Sequence, residues 1–311
     1  MKTIDPKTTS AKDMYQYLVS TVNPRPIAFV STVDEEGRAN LAPYSFFNCF
    51  SANPPILVFS TTRRIADNTD KDTLSNVEAT GELVINAVSY GIARQMAVAS
   101  IQFPKDISEF DKSGLTPLPA ELVRPFRVKE SPVHFECRAE QIVPLGEEGG
   151  AGHLIICRVL RLHIAEHAFD DRGRISPHKL DLLGRLGRAF YVRASGEAVH
   201  RIYQPQQLPA IGYDQLPPSA RKSTILTGNN LGQLAGIRQA PDAKAIAALQ
   251  QVKRIREILE SSANPCDALH RHAQIELAKE NVELAAQIVW LAEEVGKTEE
   301  QMNRRTDEPK K

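Results

Sequence analysis

An antiparallel β-barrel followed by a helical extension is the architecture this sequence predicts, on three observations. About six apolar, β-branched runs in the first two hundred or so residues are joined by hairpin-like connections, with two helical stretches between them. No G-x-G-x-x-G follows any of these runs, which counts against a doubly wound dinucleotide fold. After about Ala240 the apolar residues change to helical spacing.

The elements follow in order. Met14 to Ser20 predicts a short helix, and Pro24 and Pro26 then impose an extended entry. Pro26 to Val33 is a buried strand, and Asp34 to Gly37 a turn with glycine free to take positive φ. The chain returns through Arg38 to Phe50 as a hairpin, and Pro54-Pro55 re-aims it into the strand Ile56 to Thr62. A helix follows, with Asp70 or Thr69 as N-cap and Gly81 as its end. Glu82 to Ser89 is strand, Tyr90 to Ser100 a second helix, and Pro117, Pro119 and Pro125 mark a surface loop. Two long strands come next, "FRVKESPVHFECRAEQIVPL" and "GHLIICRVLRLHIAEHAF", with the flexible tip "GEEGGAG" between them. Beyond Ala240, Leu249, Val252, Ile255 and Leu259, then Ile275, Val282, Ala285, Val289 and Ala292, recur at helical spacing on either side of Ala263-Asn264-Pro265. They predict an αα-hairpin. The expected organisation is therefore a barrel over 1–215, a linker over 216–240, a helical hairpin over 241–296 and a disordered tail over 297–311.

The 311 residues carry 38 basic and 38 acidic side chains, so no basic excess points to nucleic acid or an anionic membrane. No apolar run reaches the roughly 18 residues of a membrane span, and the N-terminus has no apolar signal region. The four cysteines are far apart, which argues against a zinc site or disulfide framework and for reduced, buried thiols in the cytoplasm. His163 and His167 share a strand face but stand roughly 13 Å apart, too far to share an ion. No metal is expected.

Two stretches carry chemistry. In "STTRRIADNTDKDT", Ser60 and Thr61 end a strand, Arg63 and Arg64 are fixed cations, and Lys71 and Thr73 open a helix. Hydroxyls, cations and unpaired amides at a helix start suit a phosphate, although a capped helix beside a charged loop gives the same pattern. In "NLAPYSFFNCFSANPP", Ser45, Phe46, Phe47 and Asn48 set rings, a hydroxyl and an amide together, and the prolines push the backbone out of its ladder. That suits a flat heteroaromatic ligand; core packing on a kinked strand explains the rings equally well.

In order and spacing, "NPRPIAFVST", "NLAPYSFFN", "PPILVFS" and "KDTLSNVEATGELVIN" together resemble the flavin reductase-like, FMN-binding split-barrel family, from about Asn23 to Pro205. "RLGRAFYVRA" is similar to that family's "RLGG…Y" element, with Arg188 where a second glycine is usual. The resemblance implies a six-stranded split barrel that dimerises around FMN. It implies hydride transfer from NADH or NADPH to FMN, or to FAD as a substrate, with a monooxygenase as a partner. The alternative is an FMN-holding electron carrier with no nicotinamide site. By motif, Ser45, Phe46, Phe47 and Asn48 line the ring, Arg25 and Pro26 flank it, and Ser60, Thr61, Lys71 and Thr73 hold the phosphate. No catalytic side chain is needed, because the cofactor does the chemistry; His178, in the loop before "RLG", is the one candidate near the ring. Deleting residues from Pro241 onward is expected to spare flavin binding and alter oligomeric size.

Overall fold

The computed structural model of the chain describes residues 1–202 and 210–306, the last eight as backbone alone. The chain divides into two compact units, Met1–His200 and Arg201–Lys311, whereas the first domain was expected to reach 215.

The first unit opens with helix α1 (Ala11–Thr21), capped by the Ser10 hydroxyl, which accepts from the Asp13 N–H. Strands β1 (Ala28–Val33), β2 (Ala39–Tyr44), β3 (Phe47–Ala52) and β4 (Pro55–Thr62) lead into helix α2 (Asp72–Thr80) and strand β5 (Glu82–Ala87). Helices α3 (Ala93–Val98) and α4 (Glu109–Ser113) and the short pair β6 (Pro117–Leu118) and β7 (Arg127–Val128) follow. The long strands β8 (Val133–Pro144) and β9 (Gly152–Ile164), helix α5 (Pro177–Leu180) and the hairpin β10 (Leu182–Gly187) and β11 (Phe190–Ala194) complete it.

The main sheet has seven strands in the order β2-β1-β5-β8-β9-β4-β3, every pair antiparallel. Its edge strands β2 and β3 are neighbours in sequence, separated only by Ser45 and Phe46. Tyr44 and Phe47 are thus at most about 11 Å apart along the chain, so the sheet curls until its edges meet. No ladder joins those edges among the described residues, so in place of the expected six strands there are seven, in an open sheet.

Alternation along the strands gives the sheet two apolar faces. Ala28, Val30, Phe59, Leu83, Ile85 and Ile155 pack with Leu74 and Val77 of α2 on the inside. Phe29, Leu41 and Val88 pack with Met96 of α3 and Phe110 of α4 on the other side.

Local details depart from the sequence reading where backbone bonds replace expected side-chain ones. The N-cap of α2 is Lys71, without a side-chain cap bond, because Asp70 is taken by Arg63 at 2.9 Å; Gly81 ends the helix at φ 67° as expected. Pro54 does not break the sheet: Asn53 and Pro54 form the tight turn between Ala52 and Pro55, which pair. The break falls at Ser45 and Phe46, where the chain passes from one edge to the other. Cys49 is exposed rather than buried, while Cys137 and Cys157 lie in the core, and no disulfide joins the four cysteines.

The second unit is helical: α6 (Pro218–Arg221), α7 (Gly228–Ala235), α8 (Ala243–Leu249), α9 (Lys253–Ser261), α10 (Pro265–Ala278) and α11 (Val282–Thr306). The expected two-helix hairpin is thus embedded in a larger set, and residues 216–240 contribute α6 and α7 rather than a bare linker. Leu234, Ile246, Ile255, Leu269, Leu277 and Val289 form its core. Val252 and Ile275, expected on the apolar stripe, are exposed. Helix α11 runs through residues expected to be disordered, up to Thr306; residues 307–311 of that tail, and Pro205 at the end of the resemblance, lie outside the described residues. No described helix is long and apolar enough to cross a membrane.

Candidate functional site

Two features of the curled sheet bear on function. The first is an apolar cleft of about 510 Å³, whose lining includes Arg25, Pro26, Phe47, Asn48, Leu162 and Val192. The second is a set of polar groups at the end of the sheet covered by the start of α2.

The polar end is built by register. Thr61 of β4 stands opposite His153 of β9, so both side chains share the inner face with Phe59 and Ile155. Tyr44 packs its ring on Phe59, with centroids 5.4 Å apart. The Tyr44 hydroxyl, the Thr61 hydroxyl and Nδ1 of His153 are all sealed from solvent without a hydrogen-bond partner. Burial pushes the Tyr44 phenol well above its usual range, so it stays a neutral donor. Lys71 holds its ammonium 5.0 Å from the Tyr44 ring centroid. Burial first, and the charge of Arg64 second, lower its pKa. It makes no ion pair among the described residues, whereas its neighbours are engaged: Arg63 pairs with Asp70, and Arg64 donates to the Thr69 hydroxyl and the Asp70 carbonyl.

The Ser60 N–H donates to the Phe46 carbonyl at 2.8 Å, tying β4 to the turn that leads into the cleft residues Phe47 and Asn48. The predicted site residues have different duties. Arg25, Pro26, Phe47 and Asn48 line the cleft. Arg25 is also a strut: its guanidinium donates to the Val19 and Val22 carbonyls at the end of α1 and to the Ser45 hydroxyl at 3.3 Å. Phe46 turns away from the cleft lining, lying edge-on to Tyr15 and 6.0 Å from the Arg25 guanidinium. Ser60 donates to the Thr61 carbonyl. Thr73 is enclosed in a network in which Asn40 donates to both Thr73 and Thr32, and Asn76 to Thr32 as well, pinning α2 to β1 and β2. Of the four residues placed on the phosphate side, Thr61 and Lys71 are thus the two with free bonding capacity there.

His178 is not brought to the cleft lining. Its Nδ1 accepts the Gly196 N–H at 3.2 Å, and it is its neighbours Ile175 and Leu180 that line the cleft. His153 was not singled out from sequence. Only the β4–β9 register sets His153 beside Thr61; a histidine ahead of the apolar run Leu154 to Cys157 was the one signal available.

Residues 20–180 match the family described as flavin reductase like domain. An uncharacterized protein of Aquifex aeolicus is 38% identical over 191 residues, which is 61% of this chain and 95% of that protein. The crystal structure of nitrilotriacetate monooxygenase component B from Bacillus cereus matches with a TM-score of 0.60 and 34% identity, over 66% of this chain and 98% of that one. A split barrel domain protein of Shewanella frigidimarina, 23% identical, shares the fold with a TM-score of 0.55 over 64% of this chain and 95% of its own. The chain belongs to the flavin reductase like domain family.

Proposed function

We propose that this chain is an FMN-binding, cytoplasmic NAD(P)H:flavin oxidoreductase that works as a homodimer and supplies a monooxygenase. The observation that carries the reading is the partnerless Tyr44 hydroxyl with the Lys71 ammonium over its ring, on the strand-end face where the Thr61 hydroxyl is partnerless too. A phosphate monoester supplies the acceptors those hydroxyls lack and the negative charge that Lys71 lacks. The cleft suits a flat, weakly polar ring, since its lining is apolar apart from Arg25, Asn48 and Asn86.

When bound, flavin supplies the acceptor for a hydride delivered by a dihydronicotinamide. The chain's own residues bind and orient. Thr61, Tyr44 and Lys71 hold the phosphate, Phe47 and Pro26 present the apolar wall, and Arg25 keeps Ser45 in place at the turn between the sheet edges. Water is excluded once the open side of the cleft is covered, and Leu162 on β9, exposed beside it, is a surface a second copy would cover. Supply of a monooxygenase rests on the likeness to the Bacillus cereus component B.

The test is anaerobic addition of NADH or NADPH to the FMN-loaded protein. Rapid bleaching of the flavin band with either donor is the expected result. A yellow protein indifferent to both is an electron carrier and not a reductase. A protein that takes up neither FMN nor FAD overturns the reading altogether.

A further inference from the structure

Between β4 and α2 the chain closes on itself over residues 63–70, and Lys71 is the next residue out of that knot. Arg63 uses its guanidinium inside it. Its Nε donates to Oδ1 of Asn68 at 2.8 Å, one terminal nitrogen donates to both Asp70 carboxylate oxygens at 2.9 and 3.1 Å, and the other donates to the Asn68 carbonyl at 2.6 Å. The Arg64 N–H donates to the Thr69 carbonyl at 2.9 Å, and the Arg64 carbonyl accepts the Asn68 N–H, also at 2.9 Å.

The knot is tied in turn to the β8–β9 tip, which the sequence marked as flexible. The Arg63 N–H donates to the Ala151 carbonyl at 2.9 Å, the Gly150 N–H to the Arg63 carbonyl at 3.0 Å, and Nδ2 of Asn68 to the Glu147 carbonyl at 3.1 Å. Gly149 comes so close that a Cβ there would stand 3.2 Å from the Arg64 carbonyl oxygen. Asn68 belongs to both sets of bonds, although it is itself exposed. Its φ of 55° lies in the left-handed region, which asparagine enters more readily than most residues that carry a side chain. Glycine would keep that backbone and lose both side-chain bonds.

We infer that Asn68 is a positioning residue: through Arg63 and Asp70 it fixes the point from which Lys71 reaches the proposed phosphate seat. This rests on the reading of Thr61, Tyr44 and Lys71 as that seat. Lysine is a point charge on a flexible stem, so its ammonium anchors an anion well only where its main chain is already fixed. Arg63 is neutralised by Asp70 at 2.9 Å and works as a brace, whereas Lys71 makes no ion pair among the described residues and holds its ammonium over the Tyr44 ring.

The experiment compares full-length wild type with Asn68→Gly, which keeps the backbone conformation, and Arg63→Lys, which keeps the charge and loses the planar fork. Affinities for FMN and riboflavin are measured by flavin fluorescence quenching. The position of Lys71 is read by NMR of lysine-labelled protein, from the upfield ring-current displacement that the Tyr44 ring gives its ε-protons. Both variants are expected to lose about tenfold of the preference for FMN over riboflavin, the size of one charge-assisted contact. The upfield displacement should collapse in both. Riboflavin affinity within about twofold of wild type and an unchanged circular dichroism spectrum report that the variants are folded. A preference for FMN kept by either variant, or a Lys71 signal that stays displaced in Asn68→Gly, overturns the proposal. Should wild type bind FMN no better than riboflavin, the phosphate reading falls by itself, and the Lys71 signal alone decides the role of Asn68.

Discussion

Glu136 in the strand unit and His270 in the helical unit are both sealed from water, but only one of them is employed. The Glu136 carboxylate accepts the Glu121 N–H at 2.9 Å, the Leu122 N–H at 2.6 Å and Nε2 of His163 at 2.7 Å. Burial pushes that carboxyl up, yet the two amides and His163 outweigh it and hold it below the usual glutamate range. His270, 1% exposed in α10, has no partner for either ring nitrogen and packs in a core with Leu269 and Ala273. Burial pulls its pKa below the usual value against the raising effect of Asp267 and Glu293. Thr61 and Tyr44 are as idle as His270, but the Lys71 ammonium, without an ion pair among the described residues, lies over the Tyr44 ring. An idle buried polar group thus points to a ligand only where complementary charge accompanies it; elsewhere it is a pH liability.

Substitutions at these positions separate the cases. Glu136→Ala has the largest expected effect, because it strands two amides and a histidine; the cost in a denaturant titration should be about 3 kcal/mol or more. A cost below about 1 kcal/mol would remove the distinction between employed and idle groups. His270→Leu should act in the other direction and depend on pH. With the folded pKa lowered, the unfolded chain takes up the proton first. Stability is therefore complete above about pH 6.5 and is lost as pH falls below that value towards the folded pKa. The leucine variant should flatten the fall between about pH 7 and pH 5 and gain about 1 kcal/mol at the acid end. His272, also lowered by burial, retains its share of that fall. The loss through Glu276 and Glu293, whose carboxyls are held low, lies below about pH 4.3 and should persist. An unchanged profile would mean that His270 is solvated in solution. Thr61→Val is the mildest for the fold, within about 0.5 kcal/mol of wild type, since it removes a hydroxyl that bonds to nothing.

How far the sequence could be read depended on whether the cause was local. Strand β1 is buried at every position, and its β-branched run announced it. Gly81 stopped α2 because only a left-handed residue closes that turn cheaply. Phe47 and Asn48 of the family pattern line the cleft together because they are consecutive on one edge strand. Long-range causes were hidden. The short helix α4 is pinned by Glu109, whose carboxylate accepts the Leu41 N–H of an edge strand 68 residues away. The charged end of α11 was read as disorder because no apolar stripe marks it. His153 needed the β4–β9 register, and the strut role of Arg25 needed the end of α1.

The central claim is that Thr61, Tyr44 and Lys71 form a phosphate seat, and comparing FMN with riboflavin tests it most directly. Wild type should bind FMN about 100-fold more tightly than riboflavin by flavin fluorescence quenching, the size expected of two charge-assisted contacts. The double variant Thr61→Val with Lys71→Ala should leave riboflavin affinity unchanged and reduce that preference to less than about tenfold. Equal affinity for the two flavins in wild type, or a preference that survives both substitutions, would contradict the account.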